Sequence, residues 1–242
     1  MGLDLIHTGV KKMPRRLMLY AVEGIGKSTF ASLAPDPIFI PTEEGLNEID
    51  CASFPVAATM YDVFGHMKTL MEEDHEYKTV VIDTLDWLES MIWAQVCEDK
   101  NKENIEDIGY AKGYKFALTY WQRFLNGLEM LRKEKGMMVI LLAHSAIERF
   151  EDPERDAYDR YCPRMHKLAS AMIREWCDEV LFACYEVDIK KEDSGFNQKR
   201  SIAKSQGRRI MHTTERASHM AKNRLSMPDT MDFMWKSYSE YL

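Results

Sequence analysis

No stretch of this chain is long and apolar enough to span a bilayer, and no charged segment followed by an apolar run opens it. Met1-Gly2 is not followed by the Ser or Thr of a myristoylation signal. These absences predict a cytoplasmic protein with no membrane partner. Cysteine is scarce: Cys51, Cys97, Cys162, Cys177 and Cys184 form no C-x-x-C pair. That excludes a disulfide scaffold and predicts reduced thiols packing as small hydrophobes. The seven histidines show no zinc spacing. Positive charge is not in surplus either. A net charge of −7 excludes indiscriminate coating of nucleic acid and leaves room only for a local basic strip. Internal repeats and low-complexity tracts are missing as well.

What is present is an ordinary globular composition, 45% hydrophobic and 29% charged over 242 residues, enough to bury a core. Apolar runs alternate with amphipathic stretches, which predicts an α/β fold with a mostly parallel sheet flanked by helices. The expected strands are Leu17-Met18-Leu19-Tyr20, Pro37-Ile38-Phe39-Ile40-Pro41, Thr79 to Thr84, Met137 to Ala143 and Val180 to Val187. Helices are expected over 59–73, 85–97, 114–134 and near 165–177. Residues 98–113 read as a polar connection and 146–163 as a long loop. A hairpin around Asp193-Ser194-Gly195 and strands near 199–204 and 208–214 close the pattern. The reading is one domain, 1–242, with a parallel core over 14–187 and an antiparallel β extension over 188–242.

The segment Ala21-Val22-Glu23-Gly24-Ile25-Gly26-Lys27-Ser28 lies between a buried strand and the start of a helix, the setting a P-loop requires. The chemistry explains the residue types. Loop N–H groups point at phosphates, and Gly24 and Gly26 let the backbone approach them. Lys27 supplies a charge to the β/γ-phosphates and the Ser28 hydroxyl ligates Mg²⁺. Glu23, Gly24, Ile25, Gly26, Lys27, Ser28 and Thr29 are thus the candidate ATP contacts. The motif's first Gly is Ala21 here, which requires Ala21 to keep a negative φ.

Ligands of open parallel sheets collect at the carboxyl ends of the strands, and three further features fall there. Asp83 closes a buried strand, as the acid that holds Mg²⁺ with Ser28 does. Its plain alternative is a helix N-cap. Glu43 or Glu44 can polarise the attacking water, or form a solvated acidic turn. His144, after another buried strand, can sense the γ-phosphate or serve as a polar cap.

This ordered set resembles the RecA-type recombinase core, most of all the compact phage RecA-like single-strand annealing ATPases. Glu23 matches a Glu inside the RecA loop. Phe39-Ile40-Pro41-Thr42-Glu43-Glu44-Gly45-Leu46 resembles the strand whose terminal Glu activates water, and selects Glu43. Val81-Ile82-Asp83-Thr84 resembles the Mg²⁺-side strand. Ile140-Leu141-Leu142-Ala143-His144 falls where RecA ends a strand in a Gln sensor. Ala221-Lys222-Asn223-Arg224-Leu225-Ser226-Met227-Pro228 resembles the Lys-Asn-Lys segment that reaches a neighbour's ATP, so Lys222 and Arg224 are candidate contacts in trans. The resemblance spans roughly residues 14–230.

It implies a Mg²⁺- and DNA-dependent ATPase that binds single-stranded DNA and promotes annealing or recombination. It further implies a homo-oligomer, ring or filament, partnered by a single-strand DNA-binding protein and acting in the host cytoplasm if phage-encoded. A ring helicase or loader, a nucleotide-gated binding module and a small-molecule P-loop kinase are the alternatives. The DNA contact is expected in residues 146–167, where Arg149, Phe150, Arg155, Arg160, Tyr161 and Arg164 interleave cations and aromatics. Arg149, Phe150, Arg160 and Tyr161 are the individual choices. Acidic neighbours nearly cancel the charge, so a plain solvated loop is the competing reading. Lys199, Arg200, Lys204, Arg208 and Arg209 form a second basic cluster.

Overall fold

The computed structural model describes residues 2, 6, 8, 9, 12–154, 156–193 and 199–242, with backbone alone for 188–193 and 199–206. The strand β1 (Arg16–Ala21) leads into α1 (Lys27–Ser32), then β2 (Pro37–Pro41), a short β3 (Ala52–Ser53) and α2 (Met60–Glu72). Next come β4 (Thr79–Asp83), α3 (Leu85–Asp99), a 3-10 turn over Ile105–Ile108 and α4 (Lys112–Glu134). The remainder is β5 (Met138–Phe150), β6 (Tyr158–Pro163), α5 (Lys167–Trp176), β7 (Glu179–Asp193), β8 (Lys199–His212), β9 (Thr230–Asp232) and α6 (Trp235–Ser239).

The sheet runs β3-β2-β4-β5-β1-β7-β8-β9, parallel as far as β7 and antiparallel beyond it. Both faces of the central strands are covered, so their sequences are continuously apolar rather than alternating. Alternation still decides which layer each side chain joins. Met18, Tyr20, Val139 and Leu141 face the layer of α2, α3, α4 and α5, where they meet Trp121 and Phe124. Leu17, Leu19, Ile140 and Leu142 face the opposite layer. There α1 and α6 bring Phe30, Phe233, Trp235 and Tyr238 together, with Phe30 stacked on Phe233 at 5.0 Å.

Helix α2 starts at a reciprocal cap in which the Thr59 hydroxyl accepts from the Asp62 N–H and the Asp62 carboxylate accepts from the Thr59 N–H. The helix expected at 59–73 is therefore well bounded. Elsewhere the sequence expectations need correction. Residues 146–163 are not a long loop. The end of β5 leaves the parallel sheet at Ser145 and pairs antiparallel with β6, placing Glu148 opposite Arg160 and Arg149 opposite Asp159. Those alternating charges resemble solvated loop in one dimension, yet across the ladder they neutralise each other. The two strands expected at 199–204 and 208–214 are one strand, β8. The turn expected around Ser194 and Gly195 lies outside the described residues. Beyond β8, Lys222 meets β7 through an isolated bridge to Val180.

The packing of α4 generates a stability prediction. A Cβ on Gly113 would stand 2.4 Å from the Ile105 carbonyl oxygen, so the helix start lies directly on the 3-10 turn. Gly113→Ala should cost about 1–3 kcal/mol and lower Tm by several degrees for a chain of this size. A circular-dichroism melt unchanged from the parent would contradict this close approach.

Candidate nucleotide-phosphate site

The loop between β1 and α1 takes its shape from its glycines. Gly24 and Gly26 have φ of +70° and +99°, the left-handed region that side-chain-bearing residues avoid. Ile25 between them is 1% exposed and anchors the loop in the core. Ala21 is the last residue of β1, hydrogen-bonded in register with His144 on one side and Ala183 on the other. It keeps a strand backbone, so nothing there requires glycine.

Lys27 opens α1 and is 7% exposed. Burial pushes its pKa down, against the raising fields of Asp83, Asp86, Glu43 and Glu23. The Ser28 hydroxyl donates to Asp83 Oδ2 at 2.6 Å. Burial pushes the Asp83 carboxyl up, while that hydrogen bond and the charge of Lys27 pull it down. A hydroxyl and a carboxylate side by side are hard oxygen donors of the kind Mg²⁺ takes, alongside phosphate and water. Among the described residues no group of three or more His, Cys, Asp or Glu could hold a metal alone.

Glu43 follows β2 and is half-buried, whereas Glu44 is exposed. The Thr84 hydroxyl donates to Glu43 Oε1 at 3.0 Å. Behind it, the Thr42 hydroxyl accepts from the Thr84 N–H and donates to the Thr84 carbonyl, both at 2.7 Å. The turn carrying Glu43 is thereby tied to the end of β4. Gly24, Lys27, Ser28, Glu43, Glu44, Asp83 and His144 line one cavity of about 310 Å³.

His144 marks the point where β5 leaves the sheet. Its backbone N–H donates to Asp86 Oδ1 at 3.1 Å, and its Nδ1 lies 3.0 Å from Asp86 Oδ2 and 4.0 Å from Glu43 Oε1. Arg164 Nη2 reaches the same Asp86 oxygen at 2.7 Å and its Nη1 reaches Glu23 Oε1 at 3.2 Å. Burial alone would raise the Asp86 pKa. The hydrogen bonds from His144 and Arg164 override it and hold the carboxyl well below the usual range.

The family match agrees with this geometry: the model of the AAA domain matches residues 13–225. The chain belongs to the AAA domain family. It is similar to the SPbeta prophage-derived uncharacterized protein YorG of Bacillus subtilis (strain 168), 24% identical over 241 residues, covering 95% of this chain and 67% of that protein. Among solved structures it is similar to the RadB recombinase at 12% identity, covering 87% of this chain and 91% of that chain, with a TM-score of 0.43. No helix of the described residues is long and apolar enough to cross a membrane.

Several expected site residues of this AAA domain lie elsewhere or are already engaged. Arg160 is 8% exposed, pairs with Glu215 and sits against the Phe150 ring. Tyr161 stacks on Phe182 at 4.8 Å, in the core. Both were placed by composition on a free loop, and pairing with β5 turns them inward instead. Arg149 and Phe150 stay exposed near the hairpin end, Arg149 beside Glu151 at 3.8 Å. Arg155 and the side chains of Lys199, Arg200 and Lys204 lie outside the described residues. Lys222 donates to the carbonyls of Arg174, Glu175 and Cys177, capping the end of α5. Those bonds fix it within its own chain, which argues against the role in trans. Arg224 is half-exposed and pairs with Asp178 at 3.1 Å.

Two residues at the site escaped the sequence reading of their roles. Arg164 and Arg209 both read as members of basic clusters. Arg209 instead donates to the Ile25 carbonyl at 3.0 Å, bracing the P-loop from β8. No local pattern announces either contact, because each depends on which strand pairs with which.

Glu89, on α3 beside Asp86, generates a pH prediction. Burial pushes its carboxyl from 4.5 up to about 7. Between those values the unfolded chain has already released this proton while the native state keeps it. Stability therefore falls as pH rises through that window. Glu89→Gln should remove this loss, so the difference in Tm between variant and parent should shift toward the variant from pH 4.5 to 7.5. A pH-independent difference would show that Glu89 titrates normally.

Proposed function

We propose that this AAA domain binds ATP with Mg²⁺ and hydrolyses it as a RecA-like unit acting on single-stranded DNA in annealing or recombination. The observation that carries the reading is the convergence of Lys27, Ser28, Glu43, Asp83 and His144 on one cavity beside a doubly left-handed glycine loop. In it, Lys27 and the loop N–H groups hold the β- and γ-phosphates, and Ser28 and Asp83 would hold the magnesium. Glu43, steadied by Thr84, orients and deprotonates the attacking water. His144, with Nδ1 against Asp86, senses the γ-phosphate. A mostly apolar hollow of about 230 Å³ next to Thr29, lined by Phe30, Leu33, Arg209, Phe233 and Trp235, offers a seat for the nucleotide base.

The strand partner and the oligomer extend this reading. The prophage-derived relative supports a phage setting. The β5–β6 hairpin continues directly from the sensor strand, so a strand contact on it would be coupled to nucleotide occupancy. Arg224 lies by Asp178, at the amino edge of the sheet, opposite its own P-loop. Head-to-tail stacking of subunits would bring it to a neighbour's phosphates.

Lys27→Ala should abolish nucleotide binding or turnover; unchanged affinity and turnover in a calorimetric and phosphate-release assay would sink the site. Glu43→Gln should keep binding and slow hydrolysis by roughly 10²-fold or more, with Glu44→Gln near the parent. Normal turnover in Glu43→Gln with slow turnover in Glu44→Gln would move the water-activating role to Glu44. Mixing Arg224→Ala with Lys27→Ala subunits should restore part of the ATPase activity. Its strict absence at every mixing ratio counts against a site shared between subunits.

A further inference from the structure

We propose that the cleft between α3 and the segment after β6 seats an unpaired base of a bound single strand, with Arg164 on its phosphate. The inference rests on the strand-binding reading above and gives it a site that the expected loop residues do not supply. The cleft holds about 330 Å³ and is lined by Asp86, Trp87, Glu89, Ser90, Trp93 and Arg164. That is the small end of ligand pockets and suits one base with its sugar better than a folded partner.

Three observations point to this ligand chemistry. Trp87 is 48% exposed, an unusual setting for an indole unless its face is to be covered. Trp93, six residues on along the helix, is half-buried and meets Tyr114 edge-on at 5.3 Å, and Tyr114 stacks on His166 at 4.1 Å. An aromatic row therefore continues from the cleft wall, as single-strand sites require. The second observation is Glu89, 5% exposed. Its Oε2 accepts from the His166 N–H at 2.8 Å, while Oε1 has no partner. A buried carboxyl oxygen left alone calls for a partner, and a base edge supplies one: an amine or imide N–H to the ionised carboxylate, a ring nitrogen or carbonyl to the protonated acid. The third is Arg164, whose half-exposed guanidinium is held at the mouth by Asp86 and Glu23. A strand phosphate competing for it would loosen Glu23 in the P-loop and one oxygen of the carboxylate that holds His144.

The test is equilibrium binding of labelled oligo(dC) and oligo(dT), with a slowly hydrolysed ATP analogue present. The parent should bind both oligonucleotides. Trp87→Ala should weaken oligo(dC) binding about tenfold, with Trp87→Phe restoring most of it and basal ATP turnover unchanged. Arg164→Gln should lower the log–log salt slope by about 0.7, one phosphate contact. Ser90→Glu, an exposed change on the cleft wall, should weaken binding by charge alone. If the parent binds strands and Trp87→Ala and Ser90→Glu bind them equally well, this site is wrong and the strand-binding reading stands. If the parent binds no strand, both fall. A Trp87→Ala protein that melts early and loses the ATP analogue as well has only a structural tryptophan, which overturns the proposal.

Discussion

The chemistry of this chain depends on parallel register. Strand β5 is inserted between β1 and β4, so Ala21 is level with His144 and Asp83 is level with both Pro41 and Leu142. Four strands thus reach one edge, and the turns leaving them carry the P-loop, Glu43, Asp83 and His144. A one-residue slip in any pair would move these groups by more than 3 Å along the strand and reverse the face of every side chain. The apolar content of both layers forbids that slip, since each strand residue has a matching layer to enter. Packing therefore sets the geometry of the polar site.

Within the site, Asp86 is the hub. It accepts from the His144 backbone, approaches the imidazole and binds Arg164, which in turn reaches the P-loop glutamate. A carboxylate so engaged cannot release one partner without altering the others. Any movement of the hairpin leading to Arg164 is thus felt at the P-loop and at His144 together. This gives the fold a physical connection between its phosphate site and its exposed carboxyl-edge surfaces, carried by charge-assisted bonds rather than by distance alone.

The parts legible in the sequence are those fixed by local rules. Gly24 and Gly26 announce their left-handed turns, and β4 announces itself by Thr79-Val80-Val81-Ile82-Asp83. The choice of Glu43 over Glu44 rests on family resemblance alone; in the structure Glu43 is half-buried beside Thr84 and Glu44 is exposed. What was hidden depends on pairing between distant segments. Arg160 and Tyr161 read as free because their ladder partners on β5 are ten or more residues away. Lys222 reads as a reaching cation, yet the open carbonyls of α5 hold it. Arg209 braces the P-loop from 184 residues downstream, a contact no window of sequence contains.

The distribution of charge at the phosphate edge carries the argument one step further. Glu23, Glu43, Asp83 and Asp86 all act on Lys27. Lys27 and Arg164 are the compensating cations, and Arg164 is held by two of those same carboxylates. An anion alone would meet a repulsive rim, whereas a nucleotide arriving with a divalent cation brings charge of the sign the acids lack. Burial already disfavours the ionised form of Asp83, and its hydroxyl partner is Ser28. A rim with this many acids around a P-loop is therefore suited to an anion accompanied by a cation.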